Sequence, residues 1–158
     1  MEAPWAWIAA AIIPVLLLAP AIWNGYPLLQ HDTGGYLARW YESHLEISRS
    51  NAYGIYLHLG QSSYFWINLA CQALLTLWLL HLTLRVLNMA QPLRLLTIAL
   101  ILITATALPW LASMLLTDIF AGLAVLALYI LVVHNGKLSI AEKISLLLFT
   151  SFAAASHT

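Results

Sequence analysis

In a chain of 158 residues, 63% are hydrophobic and 8% are charged, and the mean hydropathy is +0.87. This composition excludes a soluble globular protein, because too few polar side chains remain to cover its surface, and we expect an integral membrane protein. Six basic and six acidic residues give a formal net charge of +0, so no electrostatic field would attract nucleic acid.

Five apolar segments predict an all-α, polytopic bundle, because about 20 apolar residues in a helix cross a bilayer core of about 30 Å. The first span, residues 5–23, contains Pro14 as an expected kink. A cleaved signal peptide is the alternative there, but the segment starts without Lys or Arg and its apolar run exceeds a signal core. The later spans are residues 64–84, 93–111, 119–133 and 144–158.

The fifth span is still apolar where the sequence stops. We therefore interpret residues 1–158 as a single transmembrane domain that continues in a longer polypeptide, and the rest of that polypeptide is an expected partner.

Basic residues predict the orientation of the helices. Four of the six lie around loops two and four, whereas loop three has none, so the positive-inside tendency places loops two and four and the amino terminus in the cytoplasm. Loop one contains Arg39 and Arg49 but also three acidic residues, and it opposes this assignment weakly. Asp32 and Asp118, the two aspartates of the chain, then both lie on the outer face, each close to a helix end. The basic residues used here are Arg85, Arg94, Lys137 and Lys143.

Loop one, residues 24–63, is long enough to have structure or function of its own. Apolar side chains recur at helical spacing and predict an amphipathic helix in the membrane interface over residues 36–45. A second short interfacial helix is expected over residues 53–60, after Asn51 as its cap. The residues of the first pattern are Leu37, Trp40, Tyr41, His44 and Leu45.

The start of loop one carries an acidic, glycine-containing motif at residues 30–36 (QHDTGGY). A carboxylate such as Asp32 at a membrane surface is a candidate for chemistry. It could instead cap a helix that begins near Thr33, with two glycines allowing the turn. Asp118 has the same alternative, as a cap of the fourth span. The shared outer face of the two aspartates favours a functional site.

Three polar residues on the second span are spaced by four and form one stripe along it. Interhelical hydrogen bonding explains such a stripe without any catalytic role. The residues are Asn68, Gln72 and Thr76.

Three segments together resemble the GT-C superfamily of membrane glycosyltransferases, which take a sugar from a polyprenyl-phosphate carrier. They are residues 26–37 (YPLLQHDTGGYL), 49–56 (RSNAYGIY) and 116–120 (LTDIF). Relatives in that superfamily include protein O-mannosyltransferases and the aminoarabinose transferase that modifies lipid A. The resemblance implies an inverting transferase of the bacterial inner membrane, with its active face outside. It also implies that Asp32 is the catalytic base and that Asp118 helps to bind metal or substrate.

The implied reaction is a displacement at the anomeric carbon of a lipid-linked sugar, with a lipid phosphate as the leaving group. An acceptor hydroxyl is a weak nucleophile, so a carboxylate is needed to take its proton, and Asp32 is the candidate. A guanidinium stabilises the departing phosphate with paired donors. Arg49 is the first candidate and Arg39 the second, with binding of lipid headgroups as the alternative for both.

Other residues of the two outer loops complete the expected site. His31 and Tyr36 flank Asp32 in the motif and are candidate substrate-binding residues. Asp118 would either hold a divalent metal cation through its oxygens or fix sugar hydroxyls, and the sequence leaves both open. The expected partners are the lipid-linked sugar donor and membrane lipids.

Two other functions fit a helical membrane protein. One is a transporter or flippase component, which the uncharged stripe and the distance of both aspartates from the bilayer midplane disfavour. The other is a non-catalytic subunit of a membrane assembly, in which both aspartates would be helix caps.

Overall fold

The structure is a computed structural model that describes residues 5–44 and 46–157. For residues 5–7, 9 and 10 it describes the backbone alone. The described chain is all α-helical, as predicted, with two short 3₁₀ turns and one isolated bridge between Leu28 and Met114. The helices are α1 Trp5–Leu17, α2 Ala19–Asn24, α3 His31–Tyr41, α4 Asn51–Leu59, α5 Trp66–Val86, α6 Pro92–Ala105, α7 Leu108–Ser113, α8 Asp118–Val133 and α9 Ile140–Ser156.

The first predicted span is interrupted at Leu18, between α1 and α2, and not at Pro14. Pro14 lies inside α1, and its carbonyl still accepts a hydrogen bond from the Leu18 N–H at 3.1 Å. Pro20 is the second residue of α2 and has no N–H to donate to the preceding turn. The break in the span therefore lies before the second proline, while the kink at Pro14 stays a prediction.

The third predicted span is also two helices, α6 and α7, separated by Thr106 and Ala107. Pro109 cannot donate to the carbonyl one turn earlier, so the helix is broken before it. The Thr106 hydroxyl accepts a hydrogen bond from the Leu108 N–H at 3.1 Å and starts the next helix. The second, fourth and fifth predicted spans each correspond to one helix, namely α5, α8 and α9.

Among the described residues, α5 is the one helix that has both 18 or more residues and the hydropathy of a membrane span. Two other apolar helices, α6 and α8, have 14 and 16 residues. Length and composition therefore identify one candidate span, α5.

The helices form a bundle in which α1 packs on α5, α6 and α7, and α8 packs between α5 and α9. Its interior is aliphatic, and α3 and α4 pack on each other across one end. Fully buried side chains include Leu69, Leu79, Leu115, Ile130 and Leu146.

Loops one and three lie at the same end of this bundle. The Leu28 N–H donates to the Ser113 carbonyl at 2.9 Å, and the Leu115 N–H donates to the Leu28 carbonyl at 3.0 Å. At the other end, Lys137 in loop four donates to the Val86 carbonyl at the end of α5. The sequence predicted that loops one and three lie at one end of the bundle and loops two and four at the other, and the fold has this arrangement.

A bidentate ion pair joins α5 to α9 at the end formed by loops two and four. Arg85 contacts both carboxylate oxygens of Glu142, at 2.6 and 2.9 Å. Glu142 also accepts from the backbone N–H and the hydroxyl of Ser139, at 2.8 and 2.9 Å. The bond from Arg85, supported by those from Ser139, lowers the pKa of Glu142 to about 2.

We expect this pair to make stability depend on pH. Because the unfolded pKa of Glu is about 4.3, the stabilisation is fully present above that pH and is lost as the pH falls through about 2. Arg85 is 40% exposed, so solvent screening limits the contribution to about 1 kcal/mol. The free energy of unfolding should be higher for the wild type than for Glu142→Gln at pH 7, and this difference should shrink below about pH 4. A difference that stays constant to pH 2 would contradict this role.

Candidate active site

The acidic motif of loop one forms the first turn of α3. The helix begins at His31, after Gln30 as the N-cap. The Gln30 N–H donates to the Thr33 hydroxyl at 3.1 Å, and the Thr33 N–H donates to the Gln30 carbonyl at 3.0 Å. Asp32 is the second helical residue, so the cap position that the alternative interpretation gave it belongs to Gln30.

The extent of this helix differs from the prediction. The sequence predicted an interfacial helix over residues 36–45, whereas α3 starts five residues earlier and ends at Tyr41. Leu45, the last residue of the predicted helix, lies outside the described residues. The motif is therefore part of the helix and does not precede it.

Asp32 is bonded to Arg49, which lies 17 residues further along the chain. The guanidinium Nη2 of Arg49 donates to the carboxylate Oδ1 of Asp32. The same Oδ1 lies 2.8 Å from the Nε2 of His31. The side chains of Asp32 and Arg49 are 26% and 27% exposed, so solvent and small ligands reach both. Three of the sequence-predicted site residues thus meet at one carboxylate oxygen.

The Arg49 side chain lies across the motif on the way to Asp32. Its Cγ is 3.0 Å from the position that a Cβ on Gly35 would take. Its guanidinium carbon lies 5.8 Å from the centre of the Tyr36 ring, within cation–π range. Its Nη1 donates to the Ser48 carbonyl at 3.0 Å. Glycine at position 35 therefore leaves the space through which Arg49 reaches the carboxylate.

We expect the two glycines of the motif to respond differently to alanine. Gly35→Ala should push Arg49 away from Asp32 and lower transfer activity by roughly tenfold to a hundredfold, since small displacements at a reacting centre are costly. Gly34→Ala is the matched control, because no described atom lies within 4 Å of its Cβ position apart from its two chain neighbours and the backbone of its own helix. The specific transfer activities of the two variants are compared for equal amounts of folded protein. Equal activities of the two variants would mean that the path of Arg49 over Gly35 has no functional role.

The segment that carries Arg49 is fixed by the start of α4. Ser50 is the N-cap, and its hydroxyl accepts from the Tyr53 N–H at 3.4 Å, where the sequence had suggested Asn51 as the cap. The same hydroxyl donates to the Ala155 carbonyl near the end of α9. Ser50 is a site-supporting residue that sequence reasoning missed, although a serine before a helical pattern is a recognised start signal.

Loop three packs against the first turn of α3. The Thr33 hydroxyl donates to the Leu115 carbonyl at 3.0 Å. Asp118 follows as the first residue of α8, after Thr117 as the N-cap, and is exposed. Burial raises the pKa of Tyr53 in α4, and Tyr56, Tyr36 and the Asp118 carboxylate raise it further. The contact between Thr33 and Leu115 thus brings loop three, and with it the start of α8, to the end of the bundle where Asp32 lies.

An aromatic cluster lies beneath these two loops. Tyr53 is fully buried, and its ring centre lies 4.8 Å from that of Tyr36 and 6.1 Å from that of Phe120. Tyr56 also packs edge-on against Phe120, at 5.5 Å. Within the described residues, the Tyr53 hydroxyl has no hydrogen-bond partner. The cluster joins α3, α4 and α8 and holds the two site-bearing loops together.

The polar stripe of α5 is structural, as expected. Asn68 donates to the Tyr56 carbonyl at 2.6 Å, and Gln72 donates to the Met114 carbonyl at 3.1 Å. Thr76 donates to the Gln72 carbonyl within its own helix, at 2.8 Å. The stripe thus ties the long helix to α4 and to loop three.

Arg39 lies away from the Asp32 carboxylate, in contrast to Arg49. It is exposed, and its guanidinium carbon lies 5.6 Å from the ring centre of Trp40. Trp40 is itself stacked on His58 at 4.1 Å. This surface stack leaves Arg49 as the guanidinium that meets Asp32.

The arrangement places a partly exposed carboxylate, Asp32, beside a partly exposed guanidinium, Arg49, at one end of the bundle. In the part of the chain that is described, no three His, Cys, Asp or Glu side chains are grouped as metal ligands. Comparisons of this chain with family models, curated proteins and solved structures give no significant match. The function must therefore be argued from these residues.

Proposed function

We propose that this chain is part of a polytopic membrane glycosyltransferase that moves a sugar from a polyprenyl-phosphate carrier to an acceptor hydroxyl. The observation that carries the proposal is the contact between Asp32 and Arg49. The reaction needs a group that takes a proton and a group that receives phosphate charge, and these two residues supply both on neighbouring atoms.

The proposal includes the membrane placement. Residues 5–24 and 92–113 each form two consecutive helices that together have about the length of a span, about 30 Å at 1.5 Å per residue. We place the end formed by loops one and three outside and the amino terminus in the cytoplasm, in a bacterial inner membrane. Aliphatic side chains on the outside of α8 and α9 suit contact with lipid. They include Val125, Leu128, Val132, Ile144 and Leu148.

In the proposed mechanism, Asp32 takes the proton of the acceptor hydroxyl as that oxygen attacks the anomeric carbon. The bond from the anomeric carbon to the carrier phosphate breaks, and Arg49 binds the phosphate oxygens as they gain charge. The ring of Tyr36 supports the guanidinium from one face, and His31 adds a donor beside the same carboxylate. Inversion at the anomeric carbon follows from a single displacement.

Asp118 is assigned to the binding of the sugar, either through its hydroxyls or through a divalent cation held by the Asp118 oxygens. It is exposed at the start of α8, on the loop whose carbonyl at Leu115 contacts α3.

The function is tested by donor turnover. The purified protein in lipid nanodiscs is incubated with a set of polyprenyl-phosphate sugars and hydroxyl acceptors, and released polyprenyl phosphate is measured by mass spectrometry. We expect release that requires both donor and acceptor. Transport of the lipid-linked sugar across vesicles without release would favour the flippase alternative, and neither activity would favour an assembly subunit.

The proposed orientation makes its own prediction. Single cysteines at Ser48 and Asn135, both exposed, should react with an impermeant reagent from opposite sides of a sealed vesicle. The variants are made in a Cys71→Ser background, because the native thiol is exposed. Labelling of both positions from one side would rule out this membrane arrangement.

A further inference from the structure

The contact between Asp32 and Arg49 engages the groups that each residue would use in catalysis. The Oδ1 of Asp32 is shared by the Nη2 of Arg49 and the Nε2 of His31. The two terminal nitrogens of Arg49 are bonded as well, one to Asp32 and one to the Ser48 carbonyl.

This arrangement reduces the reactivity of both groups. A carboxylate oxygen that accepts from a guanidinium offers less electron density to the proton of an acceptor hydroxyl. A phosphate that binds both terminal nitrogens of Arg49 competes with the Oδ1 of Asp32 for the Nη2 donor. Binding of a phosphate in this way therefore weakens the contact between Asp32 and Arg49.

We infer that Asp32 is an internal substitute for the phosphate of the substrate, and that the phosphate group of the carrier lipid displaces it from Arg49. Displacement frees the carboxylate at the moment when the donor is in place, so the base is released by donor binding. The exchange is a property of this ion pair, while the identification of its ligand as the carrier lipid rests on the proposed function.

Several features of the site suit such an exchange. Each side chain of the pair is about one quarter exposed, so a phosphate can approach without unfolding the helices. The sugar-linked donor is a phosphate diester with one negative charge, and the sugar-free carrier is a monoester with about −1.5 to −2 charges at pH 7, so each has at least the single charge of the carboxylate that it replaces. The Tyr36 ring contacts Arg49 independently of Asp32 and can hold the guanidinium while its partner changes.

The test is phosphate binding by the protein in phosphatidylcholine nanodiscs that contain polyprenyl phosphate without sugar. We expect Asp32→Asn to bind it about two- to fivefold tighter than the wild type, the effect of losing a partly exposed ion pair that competes with the ligand. Arg49→Gln should bind polyprenyl phosphate at least tenfold more weakly than the wild type. The double variant, with both substitutions, should bind it as weakly as Arg49→Gln.

The matched control is Glu42→Gln, which removes a negative charge from the same loop. Glu42 is 69% exposed and faces His44, so its removal should leave the affinity unchanged. Equal or weaker binding by Asp32→Asn overturns the inference, and so does an equal gain in Glu42→Gln, which would indicate general electrostatics. If Asp32→Asn fails to fold, Asp32→Ser is measured under the same criteria.

Two further arms separate the inference from the proposed function. Inorganic phosphate is titrated in place of the lipid, and a gain with inorganic phosphate but not with the lipid would support the exchange but assign it to free phosphate. Tighter binding by Asp32→Asn in a protein that turns over no lipid-linked sugar supports the exchange and rejects the transferase. Sugar transfer without tighter binding by Asp32→Asn supports the transferase and rejects the exchange.

Discussion

Asp32→Asn is expected to slow sugar transfer by about 10²- to 10⁴-fold, which is the usual contribution of a general base. Asparagine keeps the size of the side chain and can still accept from Arg49, but it cannot take a proton from the acceptor hydroxyl. The fold should survive, because the N-terminus of α3 is closed by Gln30 and Thr33. Loss of the partly exposed ion pair should cost at most about 1 kcal/mol of stability.

The measurement is the initial rate of polyprenyl phosphate release at saturating donor, for equal amounts of folded protein. Glu42→Gln serves again as the control and should keep the wild-type rate. Reduced expression of Asp32→Asn with unchanged specific activity would mean that Asp32 only stabilises the protein, and the catalytic assignment would be withdrawn.

Gly54→Ala is expected to have the largest effect on stability among the glycine substitutions within helices. A Cβ at this position would lie 2.5 Å from the backbone carbonyl oxygen of Tyr36, so α3 and α4 have to move apart. Such overpacking typically costs about 1–3 kcal/mol. Transfer activity should fall as well, since Asp32 is on α3 and Arg49 directly precedes α4.

Gly122→Ala is the matched control for the helix interior. Gly122 lies inside α8, and no described atom is within 4 Å of its Cβ position apart from its two chain neighbours and the backbone of the same helix. Its replacement should be neutral or stabilise by up to about 1 kcal/mol, because alanine is the better helix former. Unfolding in detergent by circular dichroism distinguishes the two variants. Similar unfolding midpoints would show that the close contact between α3 and α4 is not required.

The positions of most long helices and the grouping of the loops could be predicted, because apolar segments indicate the helices and basic residues indicate which loops lie together. The spans that contain no interior proline, such as residues 64–84, are single helices close to their predicted positions. The grouping of loops one and three followed from Arg85, Lys137 and similar residues at the other loops. The polar stripe on α5 was predicted from its spacing, and its hydrogen bonds bear out the structural interpretation.

Other features depend on contacts that periodicity does not encode. The start of α3 was placed too late because residues 31–35 are polar or glycine and show no apolar repeat, and the capping by Gln30 and Thr33 is a local hydrogen-bond pattern. The sequence provides no geometric reason to prefer Arg49 over Arg39 as the guanidinium near Asp32. That reason is the space above Gly35, which appears only when α3 and α4 are packed together.

The most direct test of the site is photo-cross-linking of a polyprenyl phosphate that carries a reactive group next to the phosphate. The chain offers cations at both ends of the bundle, so the labelled peptide identifies the end that binds the carrier. We predict labelling within residues 31–53, with loss of the label in Arg49→Gln. Labelling near Arg85, Arg94, Lys137 or Lys143, unaffected by Arg49→Gln, would contradict the assignment of the site to Asp32 and Arg49.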